Sequence, residues 1–148
     1  MSTPIEPSLA TTLRVRDTCL CLHVQRAARA LARRFDEALR PTGLTSFQYS
    51  LLHALNRPEP PSMGPVAALL GMDRTTLTAN LKVLAARGMV EIVVDPADRR
   101  SRRLKLLPPG RQALVQAIPI WEAEHGALEA ALGGMEPDAL RAGLRALG

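Results

Sequence analysis

A chain of 148 residues with a formal charge of +5 holds one domain's worth of sequence and a bias toward a polyanionic partner. Hydrophobic residues make up 47% but aromatics only 3%, so the core has to come from Leu, Ala and Val, a composition that favours helix. The chain lacks an apolar run of about 18 residues and a basic start followed by an apolar block, so we expect no membrane partner, a cytoplasmic protein and two reduced cysteines.

Residues 1–12 are rich in Ser, Thr and Pro and read as a disordered or docking arm. From Asp17 to Arg40 the spacing of Cys21, Val24, Ala28, Leu31 and Phe35 predicts a long helix whose stripe should be buried. Pro41, Thr42 and Gly43 break it, and Thr45 or Ser46 can cap a second helix carrying Phe47, Leu51, Leu52 and Leu55. A proline-dense loop follows at 56–61. Ser62 then opens a short helix with Val66, Leu69 and Leu70 inward, and Gly71 and Met72 turn into Asp73. Helix, short turn, helix is the helix-turn-helix arrangement, for which a plain helical hairpin is the alternative.

The stretch from Asp73 to Pro108 organises the rest. Asp73 can cap a helix and Gly88 sits where a left-handed stop belongs. Leu77, Leu81, Leu84 and Gly88 share one side. Thr75, Ala79, Lys82 and Ala86 take the other, flanked by Thr76 and Thr78. Short polar side chains let a helix approach a duplex, where threonines can serve phosphates or a thymine methyl. A solvated face that happens to be threonine-rich fits the same pattern. Residues 89–94 then read as a strand, 95–98 as a turn and 103–107 as a returning strand, with Arg99, Arg100, Ser101, Arg102 and Arg103 at the tip. Residues 73–105 hold eight basic and four acidic side chains. Four arginines in five residues repel one another. They are either a solvated charge run or a guanidinium aimed at a narrow minor groove, with neighbours on phosphates and Asp98 orienting Arg100.

From Gln112 to about Leu132 the residues Leu114, Ile118, Trp121, His125, Leu128 and Leu132 form a stripe suited to packing along another helix, with Pro119 inside it. Gly133 and Gly134 end it, and Pro137 starts a last helix with Leu140, Leu144 and Leu147. The surplus apolar surface of these terminal helices argues for a dimer, the Leu114 to Leu132 stripe being the candidate contact.

The run DRTTLTANLKVLAARGMVEIVVDPADRRSRRLKLLPPG resembles the recognition helix and wing of the MarR family of bacterial transcription regulators, whose Asp-x-Arg wing element is matched by Asp98 and Arg100. The resemblance runs from about Arg16 to the C-terminus. It implies a mainly α fold with a small β-hairpin wing, a winged helix-turn-helix with N- and C-terminal dimerisation helices. The domain would then cover 13–148, with 45–108 reading DNA and 13–40 and 109–148 dimerising. One departure stands at Leu106, Leu107, Pro108, Pro109 and Gly110, where the family carries Leu-Thr-x-x-Gly; the threonine cap is absent and Pro109 can serve as a pre-set start. The segment LCLHVQRAARALARRFDEALRPTGLTSFQY is also similar to the organic-hydroperoxide-sensing OhrR branch. Cys21 falls at that branch's reactive cysteine, while Gln25 and Phe35 replace the two tyrosines that support the thiolate. As a residue of the apolar stripe, Cys21 reads equally as a small core hydrophobe.

His23, His53 and His125 are scattered, with no zinc-like pairing, phosphate loop, nucleophile elbow or paired carboxylates, so neither an enzyme nor a metal or cofactor is expected. The expected function is a homodimeric repressor that binds a pseudo-palindromic operator on double-stranded DNA and releases it for a small-molecule effector. The DNA contacts expected are Arg74, Thr75, Thr76, Thr78, Ala79, Asn80, Lys82, Arg99, Arg100, Ser101, Arg102 and Arg103. The alternatives are a peroxide sensor switching through Cys21 and a winged helix serving only protein contacts. Cys21 is expected to be buried, and the effector to lie among the first two helices and the helix around Pro119.

Overall fold

The structure, a computed structural model, describes residues 6–148. It divides into two compact units, the first ending at Arg34 and the second spanning Phe35–Gly148. The expected arm falls partly on residues 1–5, outside the described residues. Its remainder is not irregular: Ser8 accepts a hydrogen bond from the Thr11 amide and starts helix α1, Leu9–Thr18. Helix α2, Leu20–Leu39, follows a break at Cys19, whose ψ of 112° lies outside the helical region. The single helix expected at Asp17–Arg40 is therefore two. Cys19 makes the break workable by serving the next helix as a cap, its Sγ accepting from the Leu22 amide and its carbonyl meeting His23 Nδ1 at 2.7 Å. Cys21, Val24, Ala28 and Leu31, expected inside, lie exposed on this chain, and only Phe35 of that stripe is half-buried.

The second unit begins where α2 ends on a buried Leu39 and a 3-10 turn at Arg40–Thr42 closes on Gly43, whose φ of 73° needs a residue without a Cβ. Asp36 ties α2 to α3, Ser46–Leu55, by accepting the Ser46 amide at 2.6 Å. Thr45 and Gln48 complete a reciprocal capping box. Helix α4, Met63–Leu70, buries Val66 but leaves Leu69 64% exposed, against expectation. Gly71 in the left-handed region then turns the chain so that Met72 N–H reaches back to the Ala67 carbonyl, and α5, Arg74–Ala86, starts at once.

Three fully buried leucines, Leu77, Leu81 and Leu84, fasten α5 to the core. Strands β1, Val90–Asp95, and β2, Asp98–Leu106, form an antiparallel hairpin in the register Val90↔Leu106 to Val94↔Arg102, with an irregularity at Val94/Asp95. The second strand starts five residues earlier than expected, so the arginines stand in the strand rather than in a loop. Its far edge is not free. Leu104 N–H donates to Pro61 O at 2.8 Å and Ser62 bridges Arg103, which joins the wing to the loop ahead of α4.

Helix α6, Pro108–Ala130, begins at two prolines with no side-chain cap and runs through Pro119. Leu114, expected at a dimer contact, is 2% exposed and belongs to this unit's own core with Ala113 and Ala117. Helix α7, Pro137–Ala146, exposes Leu144. No helix among the described residues is long and apolar enough to cross a membrane.

Gly110 shows how closely α6 meets the hairpin. A Cβ there would lie 2.5 Å from the Met89 carbonyl oxygen, the same oxygen that accepts the Leu107 amide at 2.9 Å. Gly110→Ala should therefore lower the unfolding free energy by about 1–3 kcal/mol in urea titration followed by circular dichroism. An unchanged midpoint would show that α6 is free to shift away.

Candidate nucleic-acid interface

The outward side of α5 is set by its first turn. Asp73 accepts the Thr76 amide at 2.7 Å and the Thr76 hydroxyl at 3.0 Å. These bonds, the amide first, hold its carboxyl below the usual carboxylate range. Thr78 donates its hydroxyl to the Arg74 carbonyl, and Asn80 donates its amide to the Thr76 carbonyl. Each of these side chains has spent a proton on its own helix. Thr76 and Thr78 are left as acceptors, so they suit base-edge amino groups or a thymine methyl and not phosphate oxygens, a sharper role than the sequence allowed. Arg74, Thr75, Ala79 and Lys82 are exposed beside them, and of these Arg74, Thr75 and Lys82 carry protons that a phosphate could accept.

The arginines of β2 separate into two kinds. Arg99, Arg100 and Arg102 are exposed, and alternation along the strand sends Arg100 and Arg102 to one face and Arg99 and Ser101 to the other. Arg102 donates to the carbonyls of Arg99 and Ser101, which stiffens the tip. Arg103 differs. Its Nε donates to Asp95 at 2.9 Å and its Nη1 to the Pro60 carbonyl at 3.2 Å. Asp95 is the one buried charged residue among those described, and the Ala97 amide followed by Arg103 keeps its carboxyl below the usual range. Arg103, expected at DNA, thus also ties β2 to Asp95 and to the loop ahead of α4, with its side chain 40% exposed.

Asp98 was expected to orient the Arg100 side chain. It instead accepts the Arg100 backbone amide at 3.0 Å, fixing the strand's start and leaving the guanidinium free to reach outward. Sequence spacing could not separate these roles, because Asp95 and Asp98 both precede arginines and only the register tells which pair meets.

A cavity of about 550 Å³ opens between α3, α4 and α6, lined by Tyr49, His53, Arg57, Leu69, Leu70 and Trp121 among others. A smaller one of about 130 Å³, lined by Phe35, Leu39 and the other side of Tyr49 and Trp121, adjoins it. The larger cavity uses α4 where the sequence suggested α2, since Leu69 faces this space and not the core. Tyr49 packs edge-on to His53 and stacks with Trp121 at 6.2 Å, and Trp121 stacks on His125 at 4.5 Å. Burial lowers the His53 pKa, so its ring is neutral at neutral pH, and its Nε2 is buried without a hydrogen-bond partner. Burial, then Glu122, raises that of Tyr49. An unpaired buried nitrogen inside an aromatic cavity is a ready contact for a ligand's polar group. Nothing in the sequence pattern marked His53 or Arg57, because they meet only through the packing of three helices.

The expected dimer stripe divides as well. Ile118 and Trp121 pack against this unit's core and His125 lies between Trp121 and Glu129, while Leu128 and Leu132 are half-buried.

If Arg103 is structural and Arg100 is not, their alanine variants should separate in stability. Arg103→Ala should lower the thermal midpoint, and Arg100→Ala should stay within about 0.5 kcal/mol of the parent. Equal midpoints for both variants would contradict this division of labour.

A family model described as MarR family matches residues 42–101. The transcriptional activatory protein BadR of Rhodopseudomonas palustris is 32% identical over 111 residues, 72% of this chain but 63% of BadR, so the chain spans under two thirds of that curated relative's length. The Mycobacterium tuberculosis regulator MosR, solved in complex with DNA, is 36% identical with a TM-score of 0.80 over 88% of this chain and 93% of that one. The repressor CouR bound to a 23-mer DNA duplex is 28% identical with a TM-score of 0.78, covering 97% and 99%. CouR from Rhodococcus jostii, solved with p-coumaroyl-CoA, gives 26% and 0.69 over 88% and 90%.

Proposed function

The chain belongs to the MarR family, and on that footing we propose that it is a homodimeric, sequence-specific DNA-binding transcription regulator, a repressor that leaves its operator when a small-molecule effector binds. The observation that carries this reading is the pairing, within one compact unit, of α5's short polar face with a β2 edge bearing three outward arginines. The helix suits a major groove and the strand tip an adjacent minor groove, where negative potential is strongest. Two copies related by a two-fold axis would place two α5 helices on successive major grooves and demand a pseudo-palindromic site.

Support for the dimer comes from apolar residues that one chain leaves in water. Leu9 is 72% and Leu20 66% exposed on α1 and α2, and on α7 and just beyond it Leu144 and Leu147 are exposed too. Burying such a side chain stabilises by about 1.5–3 kcal/mol, enough in sum to hold two copies together at low concentration. Leu128 and Leu132 are the members of the α6 stripe left for that contact.

The effector belongs in the aromatic cavity. Its Tyr49 and Trp121 walls, a neutral His53 and the cationic Arg57 favour a planar aromatic acid or a derivative of one. CouR's p-coumaroyl-CoA is a ligand of that kind. Helices α3 and α4 both line this space, so a ligand there bears on the element that α5 leans against.

A second reading has its own observation. Cys21 is exposed, contrary to the burial expected, and Gln25 Nε2 donates to its Sγ at 3.2 Å. An accessible sulfur with a donor beside it suits oxidant sensing.

In gel-shift titrations, the protein should bind one operator as a dimer in preference to random duplex. Arg100→Ala should weaken binding to all sequences and reduce the slope of log K against log salt by about one. No preference for any duplex would end the regulator reading. Stoichiometric organic hydroperoxide should leave DNA binding of both wild type and Cys21→Ser unchanged; release in wild type that is lost in the serine variant would establish the oxidant sensor in its place.

A further inference from the structure

A hydroxyl ordinarily donates or accepts as its neighbour requires. On the outward side of α5 that freedom is gone at two positions. Thr76 Oγ1 lies 3.0 Å from Asp73 Oδ2, while Oδ1 of the same carboxyl accepts the Thr76 amide at 2.7 Å. The amide bond first, and the hydroxyl bond after it, hold that carboxyl below the usual carboxylate range, so at neutral pH it is ionised and has no proton to give. The Thr76 hydroxyl must therefore be the donor, and it keeps only lone pairs for a partner. Thr78 is fixed in the same sense by the Arg74 carbonyl at 2.8 Å. Thr75 differs, since its hydroxyl makes no hydrogen bond among the described residues and keeps both roles. Of the two fixed threonines, Thr76 is exposed and Thr78 half-buried.

In a major groove an accepting oxygen meets the amino group of adenine or cytosine and is repelled by the carbonyl oxygen of guanine or thymine. We propose that Asp73 sets the base preference beneath Thr76, which is adenine or cytosine on the strand that Thr76 faces. Asp73 is a positioning residue here, acting through the direction of one proton. This rests on the reading of α5 as the groove helix given above and names what the helix selects there. The same geometry makes the preference reversible. Asparagine caps a helix about as well as aspartate, with its Oδ1 on the Thr76 amide. Its Nδ2 then stands where Oδ2 stood and donates to Thr76 Oγ1, so the hydroxyl proton turns outward and seeks a base carbonyl.

The test is selection from a pool of random-sequence duplexes by wild type, Asp73→Asn, Asp73→Ser, Thr76→Val and the Asp73→Asn/Thr76→Val double variant, followed by sequencing. Wild type should enrich a two-fold symmetric site in which adenine or cytosine is favoured about three- to tenfold at one step of each half, the worth of one hydrogen bond. Asp73→Asn should favour guanine or thymine at that step by a similar factor and leave the other steps unchanged. Its lost negative charge raises affinity for every duplex alike, which a comparison of bases within one variant does not register. Thr76→Val keeps the shape and removes the hydroxyl, so it should be indifferent between the two classes of base, and adding Asp73→Asn to it should change nothing. Asp73→Ser, whose one oxygen serves the Thr76 amide and frees the hydroxyl, should lose the preference, and it decides the matter should the asparagine variant not fold. A wild-type preference retained by either Asp73 variant, one altered at many steps, or an Asp73→Asn effect that survives without the Thr76 hydroxyl would each overturn the proposal. So would a thymine preference shared by wild type and Thr76→Val, since a methyl contact would then be the reader. If wild type enriches a site that every variant shares, the regulator reading stands and this inference alone is lost. If wild type enriches no sequence, the regulator reading fails and takes this inference with it.

Discussion

The wing is held from outside as well as from within. Strand β2 pairs with β1 on one edge, and on the other it donates the Leu104 amide to Pro61 while Arg103 reaches the Pro60 carbonyl. A proline pair offers carbonyls and no amides, so this edge accepts what β2 has to give and presents no ladder for a further strand. The same loop leads directly into α4, and α4 turns through Gly71 into α5. One short proline segment thus fixes where the arginine edge stands with respect to the helix beside it. Asp95 completes the arrangement by holding Arg103 from the opposite strand.

Helix α5 is prepared in a comparable way. Its leucines are wholly buried, its first turn is closed by Asp73, and its polar side chains are bonded along the helix, so their rotamers are limited before any partner arrives. Ordering that is already complete in the free protein is not charged against binding. Such a helix suits reading shape and methyl groups at close range more than wrapping a flexible contact around phosphates.

What the sequence disclosed follows from how local each feature is. The cap at Asp73, the left-handed Gly88, the leucine face of α5 and the antiparallel hairpin all depend on neighbours within a few residues, and all were legible. The break at Cys19 was not, because a cysteine seldom caps a helix and the apolar spacing continues across it. The length of β2 was underestimated since a run of arginines carries none of the β-branched or aromatic residues that mark a strand, and its extended form rests on pairing with β1 and with the Pro60–Pro61 edge. Arg103 looked identical to its three neighbours until the hairpin, which sets it across from Val93, brought its side chain diagonally onto Asp95. Leu114 and Leu69 fit their helical stripes by spacing alone, yet one is core and the other lines a cavity, because stripes give direction and not the depth of what lies opposite. The cavity itself assembles Tyr49, Arg57, Leu69 and Trp121 from distant parts of the chain, and no single-sequence pattern carries that.

The scarcity of aromatics has a last consequence. The chain has one tryptophan and one tyrosine, and they stack on each other at 6.2 Å in the wall of the larger cavity. Every near-ultraviolet photon the protein absorbs through these residues and re-emits therefore originates at that wall, with tyrosine well placed to pass its excitation to Trp121. Intrinsic emission reports on this one space without any label. A change seen on adding DNA, whose proposed contacts are on α5 and β2, would be a direct optical measure of communication between the groove-facing surface and the cavity.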